Sequence, residues 1–262
     1  EGVEVARQRP GSRSRQAEGS VTLDVVIAEQ RISTAEDGIR VILPVLQRPH
    51  RAVIVHQSIV ASQQAHVLRP IFVVSYGDRK QLAAVKETGS DFIVLGEGRR
   101  SGDYARKINT AAALTEEPWL FTAADDLFFH PGWAEAAMTC ARRKRVQVVG
   151  TNDMGRWSNR HRTPPSTHFL VARSYFELGG SVGETEMIFH TGYDHNYVDT
   201  EFLWTATARK QYEYCREAQV EHLHPVWRKG RRDEVYQLGQ RQNRTDLNLY
   251  RQRERLWKTS RS

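Results

Sequence analysis

The chain is poor in cysteine: Cys140 and Cys215 are the only two in 262 residues, and they form no C-x-x-C. That excludes a zinc site built from thiolates and a disulfide framework, and it fits a reducing compartment. No apolar run approaches the ~18 residues of a membrane-spanning helix, and the N-terminus lacks the apolar core of a secretory signal. A soluble, cytoplasmic protein is therefore expected. The chain starts with Glu1 rather than Met, which reads as a processed or trimmed product. Internal repeats are missing. So are a G-x-G-x-x-G fingerprint, a Walker A lysine loop and a G-x-S-x-G elbow, which argues against dehydrogenases, P-loop enzymes and serine hydrolases.

What the sequence does contain is enough for a core. Hydrophobic residues make up 39% of the chain, and its length suits one large α/β domain with appended tails. The net charge of +7 is unevenly spread. Basic residues crowd the first sixteen positions, the run Arg142-Arg143-Lys144-Arg145 and the stretch from Arg228 onward. Such a distribution suits acidic partners, namely nucleotide diphosphates, nucleic acid or an anionic surface, although basic tails also serve solubility alone.

Residues 1–20, rich in Arg, Gln, Gly and Ser, bury too little apolar surface to offset their ordering entropy and are expected to be a flexible basic segment. Short apolar runs follow at Val21–Ala28, Val41–Leu46, Ile71–Ser75, Phe92–Leu95, Trp119–Thr122 and Val146–Gly150. Their lack of alternation suits strands covered on both faces. Helical spacing occupies Arg51–Ala65, Arg79–Thr88 and Tyr104–Thr115. Strands alternating with helices of this length predict βαβ units and a mainly parallel central sheet flanked by helices. After Gly150 the rhythm breaks, returning as a strand and short helix over Thr167–Leu178, a helix over Val198–Lys210 and a short strand over Val220–Leu223. The main domain is expected to span residues 21–225, with a basic helical tail over 226–262.

Asp125 and Asp126 stand where the strand Trp119–Thr122 gives way to a turn. A capping role needs only one carboxylate, and two adjacent like charges repel unless a cation or good solvation relieves them. Oxygen-only ligands in a loop suit Mg²⁺ or Mn²⁺ carrying a phosphorylated substrate. Ligands of open α/β sheets also collect beyond the carboxyl ends of the strands. A second acidic element, Asp199 and Glu201, opens the helix at Val198, where complementing the helix dipole is the plainer reading. His222 and His224, two residues apart on a strand, point to one side.

The succession of Val41-Ile42-Leu43-Pro44, Gly102-Asp103-Tyr104-Ala105-Arg106-Lys107-Ile108-Asn109, Asp125-Asp126 followed by Pro131-Gly132-Trp133, Val198-Asp199-Thr200-Glu201-Phe202 and His222-Leu223-His224-Pro225 resembles the family 2 nucleotide-sugar glycosyltransferases, including the phage-encoded type. The resemblance covers roughly residues 40–225. It implies the GT-A fold, with a Rossmann-like nucleotide-binding half and an acceptor-binding half. It also implies an inverting transfer of a sugar from a nucleotide diphosphate donor, a UDP-sugar above all, assisted by Mn²⁺ or Mg²⁺.

The family's D-x-D motif falls on Ala124-Asp125-Asp126. Its first acid is missing, so Asp126 becomes the implied metal ligand and Asp125 the partner of the ribose or a support of the metal. Asp199 matches the general base of the family's E-D pair, with Val198 in place of the Glu. Of the two histidines, His224 is preferred to complete the metal shell. Pro44 falls where the family seats base and ribose, Asp78 where an acid reads the uracil edge or ribose, Tyr104 where a ring covers the base, and Lys107, with Arg106, where diphosphate charge is screened.

Two other readings stand beside this one. A nucleotidyltransferase uses a similar sheet and paired acids, but Leu46-Gln47-Arg48-Pro49-His50 lacks the Gly-rich basic loop it needs. A basic nucleic-acid-binding protein without catalysis draws support from the Arg-rich tail, where Tyr236, Tyr250 and Trp257 interleave with the charges. Both activities can coexist, which brings in nucleic acid, including DNA to be modified, or protein as the acceptor.

Overall fold

The computed structural model describes residues 26–33, 37–96, 103–155 and 166–259. The flexible segment expected over 1–20 and the first part of the run expected at Val21 lie outside them. From β2 on, the first half of the chain alternates as its pattern predicts, whereas β1, expected within Val21–Ala28, lies later: β1 (Ile27–Arg31), β2 (Ile39–Val45), α1 (Pro49–Ser62), β3 (Leu68–Ser75), α2 (Arg79–Glu87), β4 (Asp91–Leu95), α3 (Asp103–Ala113) and β5 (Trp119–Thr122). The second half contains β6 (Leu127–Phe129), α4 (Trp133–Lys144), β7 (Val148–Asn152), β8 (Phe169–Ala172), α5 (Arg173–Leu178), α6 (Val198–Ala208), β9 (Tyr212–His222), a 3₁₀ turn (Pro225–Trp227) and α7 (Glu234–Thr259). No helix among the described residues is long and apolar enough to cross a membrane.

The strands join one sheet in the order β1-β4-β3-β2-β5-β8-β7-β9-β6. From β4 through β5 the strands are parallel. Beyond β5 the sheet is mixed: β8 runs antiparallel to both β5 and β7, β7 pairs parallel with β9, and β6 runs antiparallel to β9. The expectation of a mainly parallel sheet therefore holds for one half of the α/β fold only. The physical reason lies in the connections. Helical crossovers force parallel pairing in the first half.

Both faces of the central strands are covered, while the edge strand β1 is exposed along its length. Along β2, Ile39, Val41, Leu43 and Val45 face a core shared with α1, α2 and α4, while Ile42 faces the opposite core with residues of α3, α5 and α6. This two-sided burial explains the non-alternating apolar strands. Between the layers Arg40, almost fully buried, bonds Asp91 Oδ2 at 2.7 Å and pairs with the buried Glu117.

One strand and the first part of another leave no readable signal in the sequence. β6 is only three residues long, and β9 begins eight residues before the expected Val220. Its early part, Tyr-Glu-Tyr-Cys-Arg-Glu-Ala-Gln, mixes buried and exposed positions across an irregular register opposite Thr151 and Asn152, which hides the period-two signal.

The C-terminal segment, marked off by its charge as a tail, packs on the domain. Trp257 is 3% exposed. Asp246 of α7 accepts the backbone N–H groups of Asp194, His195 and Asn196 at 2.7–3.0 Å. Arg253 grips the buried Glu201 of α6 through Nε and Nη2, each at 2.8 Å, and the Tyr193 hydroxyl donates to the same carboxylate at 2.6 Å. Glu201 is thus a packing group turned away from solvent, and α7 is fastened to the loop that leads into α6.

Candidate active site

A cavity of about 520 Å³ opens at the carboxyl ends of β2 and β5. Its wall is assembled from distant parts of the chain: Pro44 to Leu46 at the end of β2, Tyr104 and Lys107 from α3, the Asp125-Asp126 turn, Asp199 at the start of α6, His222 at the end of β9 and His224 just beyond it, and the first turns of α7. Of the residues the sequence singled out, Pro44, Tyr104, Lys107, Asp125, Asp126, Asp199 and His224 all line it.

Asp78 does not line this cavity. Its Oδ1 caps α2 through Gln81 N–H at 3.2 Å, and its Oδ2 accepts the Gln47 N–H at 2.8 Å beside a separate shallow depression. The resemblance implies a base- or ribose-reading role for Asp78, whereas in the structure its two oxygens serve the α2 cap and the Gln47 backbone. Lys107 reaches the cavity with its charge already engaged. Its Nζ bonds the Val45 carbonyl and the Asp103 carboxylate, both at 2.8 Å. Burial draws the Lys107 pKa down, and Asp103 opposes that shift.

The two aspartates of the turn live in different fields. Burial, followed by the adjacent Asp126, pushes Asp125 up to about 6, against the pull of Arg48, whose Nη1 lies 3.0 Å from Asp125 Oδ1. Burial also acts to raise Asp126, but His222 and Tyr236 outweigh it and hold Asp126 well below the usual carboxylate range. The Tyr236 hydroxyl donates to Asp126 Oδ2 at 2.5 Å, and His222 Nε2 stands 3.3 Å from the same oxygen. His222 answers in kind: burial lowers its pKa, Asp126 raises it, and the net direction is upward.

The neighbouring imidazoles are held neutral. Burial, then the nearby His222, brings His168 to about 3 and His224 to about 4. His224 Nδ1 accepts the Val226 N–H at 3.1 Å, so in its neutral form the ring proton resides on Nε2. Asp199 is raised above the ordinary aspartate value by burial, against hydrogen bonds from Thr200 N–H at 2.8 Å and the Thr200 hydroxyl at 3.3 Å. The charges of Asp199 and Asp126 both act on the Tyr104 phenol and on His222, which places the two carboxylates around one space.

A prediction follows for the metal-free protein. An Asp whose folded pKa lies above its unfolded value favours the fold when protonated, and it costs stability as pH rises through the window from about 4 to about 6. Asp125→Asn mimics the protonated form. It is expected to raise the melting temperature at pH 7, by up to about 3 kcal/mol of stability, with the gain vanishing by pH 4. A melting series from pH 4 to pH 8 checks both the gain and its pH dependence.

Residues the sequence reading passed over dominate this centre. In the sequence Arg48 is only the last residue of a strand-end segment, and Tyr236 only one aromatic of the basic tail. The first lies 77 residues from its partner Asp125 and the second 110 residues from Asp126, so no local pattern marks either pair. The aromatics taken as support for nucleic-acid stacking turn inward. Tyr236 and Trp257 are buried, and Tyr250 packs between Tyr197 and Trp257.

No family model matches the sequence, and neither does any curated protein. Solved structures do. The chain resembles glucosyl-3-phosphoglycerate synthase from Mycobacterium tuberculosis bound to phosphoglyceric acid, at 15% identity and a TM-score of 0.54 over 77% of this chain and 75% of that one. The same synthase with Mn²⁺, uridine diphosphate and glucosyl-3-phosphoglycerate gives 14% identity and a TM-score of 0.53 with the same coverage. A further structure, described as a mycobacterial protein, gives 13% identity and 0.52 over 76% of this chain and 69% of that one. The fold is GT-A. At these identities the likeness speaks for architecture, and the narrower expectations of family 2 and a phage-encoded type rest on the sequence motifs alone.

Proposed function

We propose that the chain is an inverting glycosyltransferase that moves a sugar from a nucleotide diphosphate, UDP by preference, to an acceptor hydroxyl. The observation that carries this reading is the meeting of Asp126 and Asp199 in one cavity at the strand ends of a GT-A fold. The similar synthase structures, which hold Mn²⁺ with UDP-glucose or Mg²⁺ with UDP, support the choice of donor and cation.

The donor set fits Mn²⁺ or Mg²⁺. Two adjacent carboxylates, one held ionised and the other paying a repulsion that a cation relieves, stand beside imidazoles kept neutral and therefore able to donate a lone pair. Among the described residues no group of three or more His, Cys, Asp and Glu side chains is arranged to hold a metal, so the diphosphate and water must complete the shell. Asp126 would hold the ion, joined by His224 once its ring releases the Val226 N–H. When bound, the ion neutralises the charge that develops on the departing diphosphate.

The protein's own groups do the rest. Pro44 and Tyr104 frame the nucleotide side of the cavity. Lys107 holds Asp103 and the end of β2 in place rather than meeting phosphate directly. Asp199, its carboxylate fixed by Thr200, accepts the proton of the acceptor hydroxyl as that oxygen attacks the anomeric carbon from the face opposite the leaving diphosphate. The buried, water-poor walls strengthen these charge interactions.

The test is a panel of nucleotide sugars incubated with the protein and Mn²⁺ while nucleoside diphosphate release is measured. Release is expected from at least one UDP-sugar, by slow hydrolysis when no acceptor is present. A panel with no release from any donor, across several acceptor classes, would remove the proposal.

A further inference from the structure

The start of α7 reaches the Asp126 carboxylate through a chain of contacts that the glycosyltransferase reading leaves unused. Arg48 is the hub. Its Nε and Nη2 clasp both oxygens of Asp233, each at 2.7 Å, and its Nη1 meets Asp125 at 3.0 Å. The guanidinium also lies over the Tyr236 ring, 4.1 Å from its centre, while the His224 ring abuts the same ring edge-on at 4.6 Å. Asp233 Oδ1 accepts the Tyr236 N–H at 3.2 Å, which ties the first turn of α7 to the clasp.

Held this way, the tyrosine ring has little freedom. A guanidinium on its face and an imidazole at its edge restrain the ring plane, and its hydroxyl donates to Asp126 Oδ2. Farther along the helix, Gly239 meets the His195 ring so closely that a Cβ would collide with it, so α7 packs tightly against this wall. Both side-chain contacts of Asp126, from Tyr236 and His222, fall on Oδ2, and Oδ1 is the oxygen they do not use. Hydrogen bonds to one oxygen of a ligating carboxylate orient the other toward the metal.

We infer that Tyr236, locked by Arg48 and Asp233, is a positioning residue that presents Asp126 Oδ1 to the divalent cation, which makes the C-terminal helix an obligatory part of the donor site. The inference rests on the proposed function for the identity of the cation and its diphosphate. It also separates a support from a gate. A gate would compete with the ion for Asp126, and its removal would tighten binding; removal of a support loosens it.

The experiment is titration of Mn²⁺ into the full chain with UDP present, with the free ion followed by electron paramagnetic resonance, for wild type, Tyr236→Phe, Asp126→Asn and the double variant. Thermal melting of each is recorded alongside. Tyr236→Phe, which keeps the ring and its stacking, is expected to weaken Mn²⁺ binding by about 10-fold or more and to add nothing further in the Asp126→Asn background. Asp233→Asn, which loosens the clasp without touching Asp126, is expected to produce a smaller loss in the same direction. Unchanged or tighter binding in Tyr236→Phe overturns the inference and leaves the glycosyltransferase reading standing. An equal loss in the presence and absence of the Asp126 carboxylate also overturns it, since the tyrosine would then act elsewhere. A wild-type protein that binds no Mn²⁺ with UDP removes the cation site itself, and with it both readings.

Discussion

Asp126→Ala is expected to lower UDP release from the preferred donor by about 10²–10³-fold, equivalent to roughly 3–4 kcal/mol of lost transition-state stabilisation. Three consequences combine in that number. The cation loses its main carboxylate, the His222 imidazole loses the partner that raises its pKa, and the Tyr236 hydroxyl is left without its acceptor. The loss is also a stability effect with a definite sign. A carboxylate held below its unfolded pKa stabilises the fold above about pH 4, and that support fades as pH falls through the depressed value. The variant is therefore expected to melt lower at neutral pH, with the difference from wild type narrowing in strong acid. Steady-state release assays and melting curves check the two parts separately. Wild-type release by a folded Asp126→Ala protein would dismiss the assigned role.

Asp199→Asn is expected to leave donor and cation binding near wild type while sugar transfer falls by about 10²–10⁴-fold, the usual contribution of a positioned base. The amide oxygen still accepts the Thr200 bonds, so the side chain stays in place without the ability to take a proton. The acid limb of the wild-type rate profile should lie above the ordinary aspartate value, because burial raises Asp199 and the base works only when ionised. The stereochemistry of the product offers an independent check: a donor with an axial anomeric bond should yield an equatorial one. Nuclear magnetic resonance of the product anomer decides the matter, and retention of configuration would sink the inverting mechanism even if transfer were found.

Much of the first half of this molecule was readable in advance. The runs at Val41, Ile71, Phe92 and Trp119 became β2, β3, β4 and β5 within a few residues of their expected bounds, because a strand buried on both faces must be continuously apolar. The helix expected over Arg79–Thr88 is α2, found at Arg79–Glu87. Reading weakened after Gly150, where short or irregular strands such as β6 and the early part of β9 leave no periodic trace.

The site divided along the same line. Asp125, Asp126, Asp199 and the histidines sit beside turns and helix starts, where a polar side chain out of keeping with its surroundings draws attention by itself, whereas Tyr104 is marked only by the resemblance. Asp78 is marked only by the resemblance, and in the structure its carboxylate caps α2. Arg48 and Tyr236 gave no such sign, since an arginine at a strand end and a tyrosine in a basic segment are ordinary in isolation. The Arg-rich stretch from Arg228 suggested a surface feature for a related reason: composition reports the exposed face of a helix, here Arg241, Arg244 and Arg251, and says little of the face that packs.

The amino-acid order alone determined the alternation of strands and helices, the covered sheet and the turn that carries paired carboxylates, because each depends on residues within one or two turns of chain. Only the tertiary structure decided that Asp126 and Asp199 share a cavity, that Tyr236 and Arg48 complete it, and that the two aspartates of one turn are driven to opposite protonation tendencies. Burial and charge depend on which distant side chains arrive within a few ångströms, and that information is not local to any segment of the chain.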